Sequence, residues 1–223
     1  MRSKIKVFSL LIFSFFIYSN EIEEVVVTGT LLKDAESDLS PVQVINGTNY
    51  KNFNITNIGE ISKYVNVSSG SRFQTNALEG VDQGMSSITL RGLDASATLL
   101  LINSKRHTFS GTPSNNGNSY IDANIIPEIA IEKIEILKEG ATSIYGSDAI
   151  AGVINFFTFQ KFEGFRFKTG KQITTNFNQD DNSFGLLYGT KILNGNLVIG
   201  FNVLERSPPV SYTHLTLPTI YSV

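Results

Sequence analysis

From Phe162 to Val203 apolar and polar residues exchange places at nearly every step. Phe165 and Phe167 fall on one side of the first segment, Arg166 and Lys168 on the other. The next segment puts Phe184, Leu186, Tyr188 and Ile192 on one face, and the third does the same with Leu197, Ile199, Phe201 and Val203. A side-chain period of two means strand, and the polar stretches NQDDN and LNGN between the segments read as turns. Strands of ~10 residues, apolar outside and polar inside, are what a membrane barrel is made from. An ordinary antiparallel sheet with one wet face follows the same pattern. Three strands cannot close a barrel, and an open edge cannot sit in lipid. The barrel is therefore expected to be begun and not completed in 161–206. The stretch 207–223 loses the alternation, carries three of the six prolines and is expected to be foreign to the pattern, as an artefact would be.

The other end fits export. Arg2, Lys4 and Lys6 precede a mostly apolar run from Val7 to Tyr18. A spanning helix needs ~20 such residues, so this run is too short and reads as the core of a signal peptide over 1–20, with an uncleaved anchor as the alternative.

Between these ends short strands alternate with short helices, which points to an α+β domain over 41–160. Residues 21–30 (EIEEVVVTGT) are rich in β-branched side chains and form a strand with no partner nearby. Residues 31–40 read as a linker, and 42–45 as a strand opened by Pro41. Residues 48–65 are expected to be a helix with Thr48 as its cap. Ile88–Gly92 reads as a strand, and Thr98–Ile102 (TLLLI) as a strand buried on both faces. Ile125–Ile131 begins a helix at Pro127. Ile131–Lys138 alternates as a strand, Ala141–Ala149 reads as a short helix or turn, and Val153–Phe159 as the last strand. Residues 71–87 and 103–120 read as long loops, of a length that is usually functional.

Several chemistries are excluded. A net charge of -2 and a pI near 5.7 give no footprint for nucleic acid. The chain has no cysteine and only two histidines, His107 and His214, so neither a disulfide framework nor a His-rich metal site is expected. No nucleophile and base stand at a recognisable spacing, so no enzyme is expected. The string GATSIYG superficially suggests a phosphate loop, but it lacks the Gly-Lys-Ser/Thr ending.

Four stretches together resemble the N-terminal part of TonB-dependent outer-membrane receptors: EEVVVTG (23–29), SPVQVI (40–45), ITLRGLDASATLLLINSKR (88–106) and IDANIIPEIAIEKIEILKEGATSIYGSDAIAGVINFFT (121–158). The resemblance implies an α+β plug domain, a mixed small sheet with short helices. The first antiparallel strands of a transmembrane β-barrel would follow it, in a family whose barrels have about 22 strands. It implies a transporter that takes up a scarce ligand such as an iron–siderophore complex, with haem, cobalamin or carbohydrate as alternatives. A plug-only periplasmic binding module is a further alternative.

The resemblance also assigns roles. Glu24, Val25, Val26, Val27, Thr28 and Gly29 match the TonB box, the segment that the inner-membrane partner TonB grips. An unpaired strand can add to a partner's sheet edge, although the segment also reads simply as the domain's first strand. Arg91, Gly92 and Lys138 match plug positions that face barrel carboxylates, with ordinary surface charge as the alternative. A lysine at 138 lacks arginine's bidentate fork. Arg72, Gln74, Arg106, His107 and Tyr120 lie in or beside the loops expected to face the ligand, where solvated side chains are the plainer reading. The implied partners are TonB, outer-membrane lipid and a small-molecule ligand. No cofactor is implied.

Overall fold

Apolar runs bounded by turns become the strands of one small sheet. The strands are β1 (Val42–Asn46), β2 (Thr98–Ile102), β3 (Lys105–Arg106), β4 (Ile131–Leu137) and β5 (Gly152–Thr158), in the order β1-β4-β5-β2-β3. Only β2 and β5 run parallel, so the sheet is mixed. The structure is a computed structural model that describes residues 28–29, 42–47, 49, 53, 55, 57–71, 85–113, 117–174, 179–192 and 195–206.

Both faces of this sheet are covered. On one face Leu100, Ile134, Ile136, Ile154 and Phe156 pack with Ile58 and Ile61 from a 3-10 turn, Ile58–Tyr64. On the other, Leu99, Leu101, Leu137 and Val153 pack against Ala141, Ala149 and Tyr145. Each fully buried Leu or Ile contributes about 1.5–3 kcal/mol by leaving water. That burial explains why Thr98–Leu101 carries no polar face at all beyond its first residue.

A second sheet follows, made of β6 (Gly164–Thr174), β7 (Gln179–Ile192) and β8 (Gly195–Arg206), all antiparallel in the order β6-β7-β8. The register aligns the outer apolar residues into rows. Phe165 lies beside Tyr188, and Tyr188 beside Ile199; Phe167 lies beside Leu186, and Leu186 beside Phe201. Phe165, Phe167, Tyr188, Ile199 and Phe201 are all exposed. The inner face is lined by Arg166, Lys168, Ser183, Gly185, Leu187 and Gly200 and packs on the first sheet's domain.

The local expectations need five corrections. Ile88–Gly92 is no strand: only Leu90 makes a bridge, to Ser68, and Arg91 and Gly92 turn with φ of 59° and 70°. The helix expected over 48–65 is not continuous: Gly47 and Asn49 are α-helical, while Ile58–Tyr64 is a 3-10 turn capped by Asn57, whose side chain accepts from the Gly59 N–H. Thr48 lies outside the described residues. The helix expected at Pro127 is one 3-10 turn, Glu128–Ala130, with Pro127 as its cap. The loop 103–120 begins as a tight hairpin, because Asn103 and Ser104 take φ of 50° and 62° and let β3 fold back on β2. Of the polar letters NQDDN and LNGN, Gln179–Asn182 and Gly195–Asn196 belong to strands, since β7 starts at Gln179 and β8 at Gly195, and the others lie outside the described residues. Continuous pairing of both strands outweighs their turn-like composition. The stretches 1–20 and 207–223 lie outside the described residues.

Candidate functional site

Two polar arrangements tie separate parts of the fold together. The first lies on the β4–β5 surface. Side chains alternate faces along a strand, so Glu135 and Leu137 share one face of β4 while Ile134 and Ile136 take the other. Glu135 sits beside Asn155 of β5, and both are buried, at 0% and 1% exposure. A buried carboxylate needs partners. One oxygen of Glu135 accepts from Lys133 Nζ at 2.7 Å. The other accepts from the Thr28 backbone N–H at 3.0 Å and from the Thr28 hydroxyl. Asn155 Nδ2 donates to the Thr28 hydroxyl oxygen at 3.1 Å.

The next residue completes the seat. Gly29 N–H donates to the Tyr145 hydroxyl at 3.2 Å, and its φ is +91°. A Cβ there would stand 3.1 Å from the Leu137 side chain, so glycine answers both the backbone angle and the close approach. Thr28 and Gly29 therefore lie across the sheet, one on Glu135 and the other on Leu137. Glu24, Val25, Val26 and Val27 lie outside the described residues.

The second arrangement joins the two sheets. Lys168 on β6 pairs with Glu128 and donates to the Ile55 carbonyl at 3.1 Å. Glu128 is 5% exposed, and burial pushes its carboxyl above the ordinary glutamate value, opposed by the hydrogen bond and charge of Lys168 and supported by the nearby Glu60. Arg166 stacks its guanidinium 4.9 Å from the rings of both Phe159 and Phe162. The 3-10 turn Glu128–Ala130 presses Ile129 and Ala130 onto Leu187. Glycines on the inner face make this approach possible. A Cβ at Gly189 would meet the Phe162 carbonyl at 2.2 Å, and one at Gly200 would meet Ala130 Cβ at 3.1 Å.

The other residues singled out from sequence fall in different places. Arg91 is exposed and Lys138 half-buried, and neither side chain has an ionic partner among the described residues. Gly92 shares the Arg91 turn. Arg106 folds back within the domain, onto Asp148 at 2.5 Å and the Tyr145 carbonyl. His107 is exposed, and its ring hydrogen-bonds to Thr108. Tyr120 is buried at 3% exposure. Arg72 and Gln74 lie outside the described residues. Among the described residues no cluster of metal-ligating side chains occurs.

Sequence reasoning missed Glu135, Asn155, Tyr145, Glu128 and Lys168. One signal was available for the first two. A charged or amide residue at the centre of a strand whose neighbours are all apolar must find a partner, although the pattern does not say which.

The sequence profile of the TonB-dependent receptor plug domain matches residues 34–153, more than half of the 223 residues. The chain is 40% identical over 72 residues to the iron-regulated outer membrane virulence protein of Vibrio cholerae, covering 32% of this chain and 11% of that one. It is 32% identical over 138 residues to the vitamin B12 transporter BtuB of Vibrio vulnificus, covering 61% and 20%. Among solved structures it resembles a ferric enterobactin receptor mutant from Pseudomonas aeruginosa in complex with enterobactin. That match has a TM-score of 0.53 and 20% identity over 76% of this chain and 25% of that one. It also resembles the siderophore receptor PirA from Acinetobacter baumannii, with a TM-score of 0.51 and 22% identity over 76% and 25%. At that identity the likeness is one of fold. The chain thus spans a quarter or less of the length of these proteins.

Proposed function

The chain belongs to the TonB-dependent receptor plug domain family, and on that premise we propose that it is the gate and first wall strands of an outer-membrane transporter for a scarce ligand such as an iron–siderophore complex. The observation that carries the reading is the two-sided second sheet. Its outer face exposes Phe165, Phe167, Ile199 and Phe201, while its inner face holds Lys168 and Arg166 against the domain. Apolar outside and polar inside, wrapped on a folded insert, suits a wall in lipid around a plug. It disfavours a plug-only periplasmic module, which would leave those aromatic rows in water.

On this reading 1–20 is the signal peptide, 21–40 the coupling segment and linker, 41–160 the plug and 161–206 the first wall strands. Glu24–Gly29 is the handle that TonB grips from the periplasm. Arg91 and Lys138 await carboxylates on wall strands outside this chain, and the loops holding Arg72, Gln74, Arg106 and His107 border the ligand. The relatives' names include both iron-regulated and vitamin B12 proteins, so cobalamin is the second cargo to test.

The chain has no cysteine, so a single Val26→Cys gives a unique cross-linking site. Carried in a full-length receptor in outer membranes, it forms a disulfide with a matching cysteine in TonB, and Val26→Pro placed beside a neighbouring cysteine weakens that contact by removing a backbone donor. No cross-link from correctly inserted protein removes the coupling role. Binding of a ferric siderophore and of cobalamin to the same membranes then separates the two cargoes.

A further inference from the structure

Thr28 and Gly29 are held by groups that also hold the hairpin between β2 and β3. Asn155 donates to the Thr28 hydroxyl and, from the same amide nitrogen, to the Ser104 hydroxyl at 3.1 Å. Its carbonyl oxygen accepts from the Ser104 N–H at 3.0 Å. Tyr145 accepts from the Gly29 N–H through its hydroxyl, while its backbone carbonyl accepts from Arg106. Two routes therefore join the hairpin to the segment, one through Asn155 and one through Tyr145.

The hairpin is also the strained part of the assembly. Asn103 and Ser104 both lie in the left-handed region, which serine enters at a cost. Asn103 is braced by Thr158, whose N–H it accepts at 2.9 Å, and Ser104 by Asn155. A hairpin that leaves this conformation withdraws both of Ser104's bonds from Asn155. A hairpin that swings outward withdraws Arg106 from Tyr145.

We propose that Glu135, Asn155 and Tyr145 form a two-point anchor for the coupling segment, and that the Asn103–Arg106 hairpin controls its release. Glu135 supplies the strength, because its charged oxygen accepts from both the main chain and the side chain of Thr28. Asn155 and Tyr145 supply the control, because each is shared with the hairpin. The coupling role of the segment rests on the reading above; the anchor rests on the bonds themselves.

Amide hydrogen exchange at Thr28 and Gly29, measured on the whole chain in detergent micelles, tests it. Both amides are protected in the parent. Glu135→Gln speeds Thr28 exchange roughly tenfold or more, as expected for loss of a hydrogen bond to a charge. Tyr145→Phe speeds Gly29 exchange about fivefold. Arg106→Ala, an exposed substitution that leaves the core intact, speeds Gly29 as well. Free exchange of both amides in the parent overturns the anchor, and so does an unchanged rate in both Glu135→Gln and Tyr145→Phe. An unchanged rate in Arg106→Ala overturns control by the hairpin. Protected amides in a protein that never cross-links to TonB support the anchor and count against the coupling reading alone.

Discussion

Lys168 on β6 and Glu128 in the turn before β4 form an ion pair that ties the second sheet to the first domain. The polarity is the reverse of the one the sequence suggested, where plug cations awaited wall carboxylates. Here the acid belongs to the plug and the base to the second sheet. Lys168 is one-third exposed and Glu128 almost fully buried, so the carboxylate depends on the lysine more than the lysine depends on it.

Removing the lysine alone therefore strands a buried charge. Lys168→Met is expected to lower the unfolding free energy by about 1–3 kcal/mol, less than for a fully buried pair because the lysine reaches water. The double variant with Glu128→Gln is expected to recover part of that loss. Urea unfolding followed by circular dichroism in micelles, as a double-mutant cycle, measures both.

The same carboxyl gives a pH dependence. Burial raises its folded-state pKa above the unfolded value, so the folded state holds the proton more tightly. Glu128's contribution to stability is present below the ordinary glutamate value and is lost as pH rises through the higher folded value. Glu128→Gln is expected to flatten the stability profile in that window. A parent and variant with parallel profiles there would refute the assignment.

The inner-face glycines make a steric prediction with its own control. Gly189→Ala puts a methyl 2.2 Å from the Phe162 carbonyl, whereas Gly195→Ala finds its nearest neighbour, the Ile192 carbonyl, at 3.8 Å. The first is expected to cost about 1–3 kcal/mol, as overpacking does, and the second almost nothing. Unfolding midpoints of the two variants decide it.

The outer face makes a prediction about lipid. Phe167 is 68% exposed in the middle of the aromatic rows. On a wall strand, Phe167→Arg near the bilayer midplane is expected to cost about 2–4 kcal/mol, and Thr169→Arg on the same face to cost less the nearer it lies to the interface. Unfolding from lipid vesicles of a full-length receptor carrying each change shows the difference. Equal, negligible costs would mean that this face does not meet hydrocarbon.

How much of this was legible beforehand depends on the range of the interaction. Each strand's two faces can be read from residue spacing, because alternation is a local property of the pleat. Phe165, Phe167, Tyr188, Ile199 and Phe201 were placed on outer faces that way, and the structure leaves them exposed. The burial of TLLLI was legible for the same reason. Ile88–Gly92 misled because its composition suits a strand, while Arg91 and Gly92 take positive φ to make a turn. The helix expected over 48–65 was right at Asn49 and misled only over Ile58–Tyr64, because apolar spacing does not distinguish a 3-10 turn from a longer helix.

The segment proposed for coupling was singled out as a string, but the string does not say where it rests. Thr28 is 107 residues from Glu135 and 127 from Asn155, and no local pattern connects them. From its own letters the chain determined its strands, their faces and its kinship, since propensity and alternation act between near neighbours. Only the tertiary structure decided that Glu135 would be buried facing Thr28, that Lys168 would reach Glu128, and that glycines would let the two sheets touch. Those contacts depend on which strands lie side by side, and burial then requires each polar group to find whatever partner the fold has brought within reach.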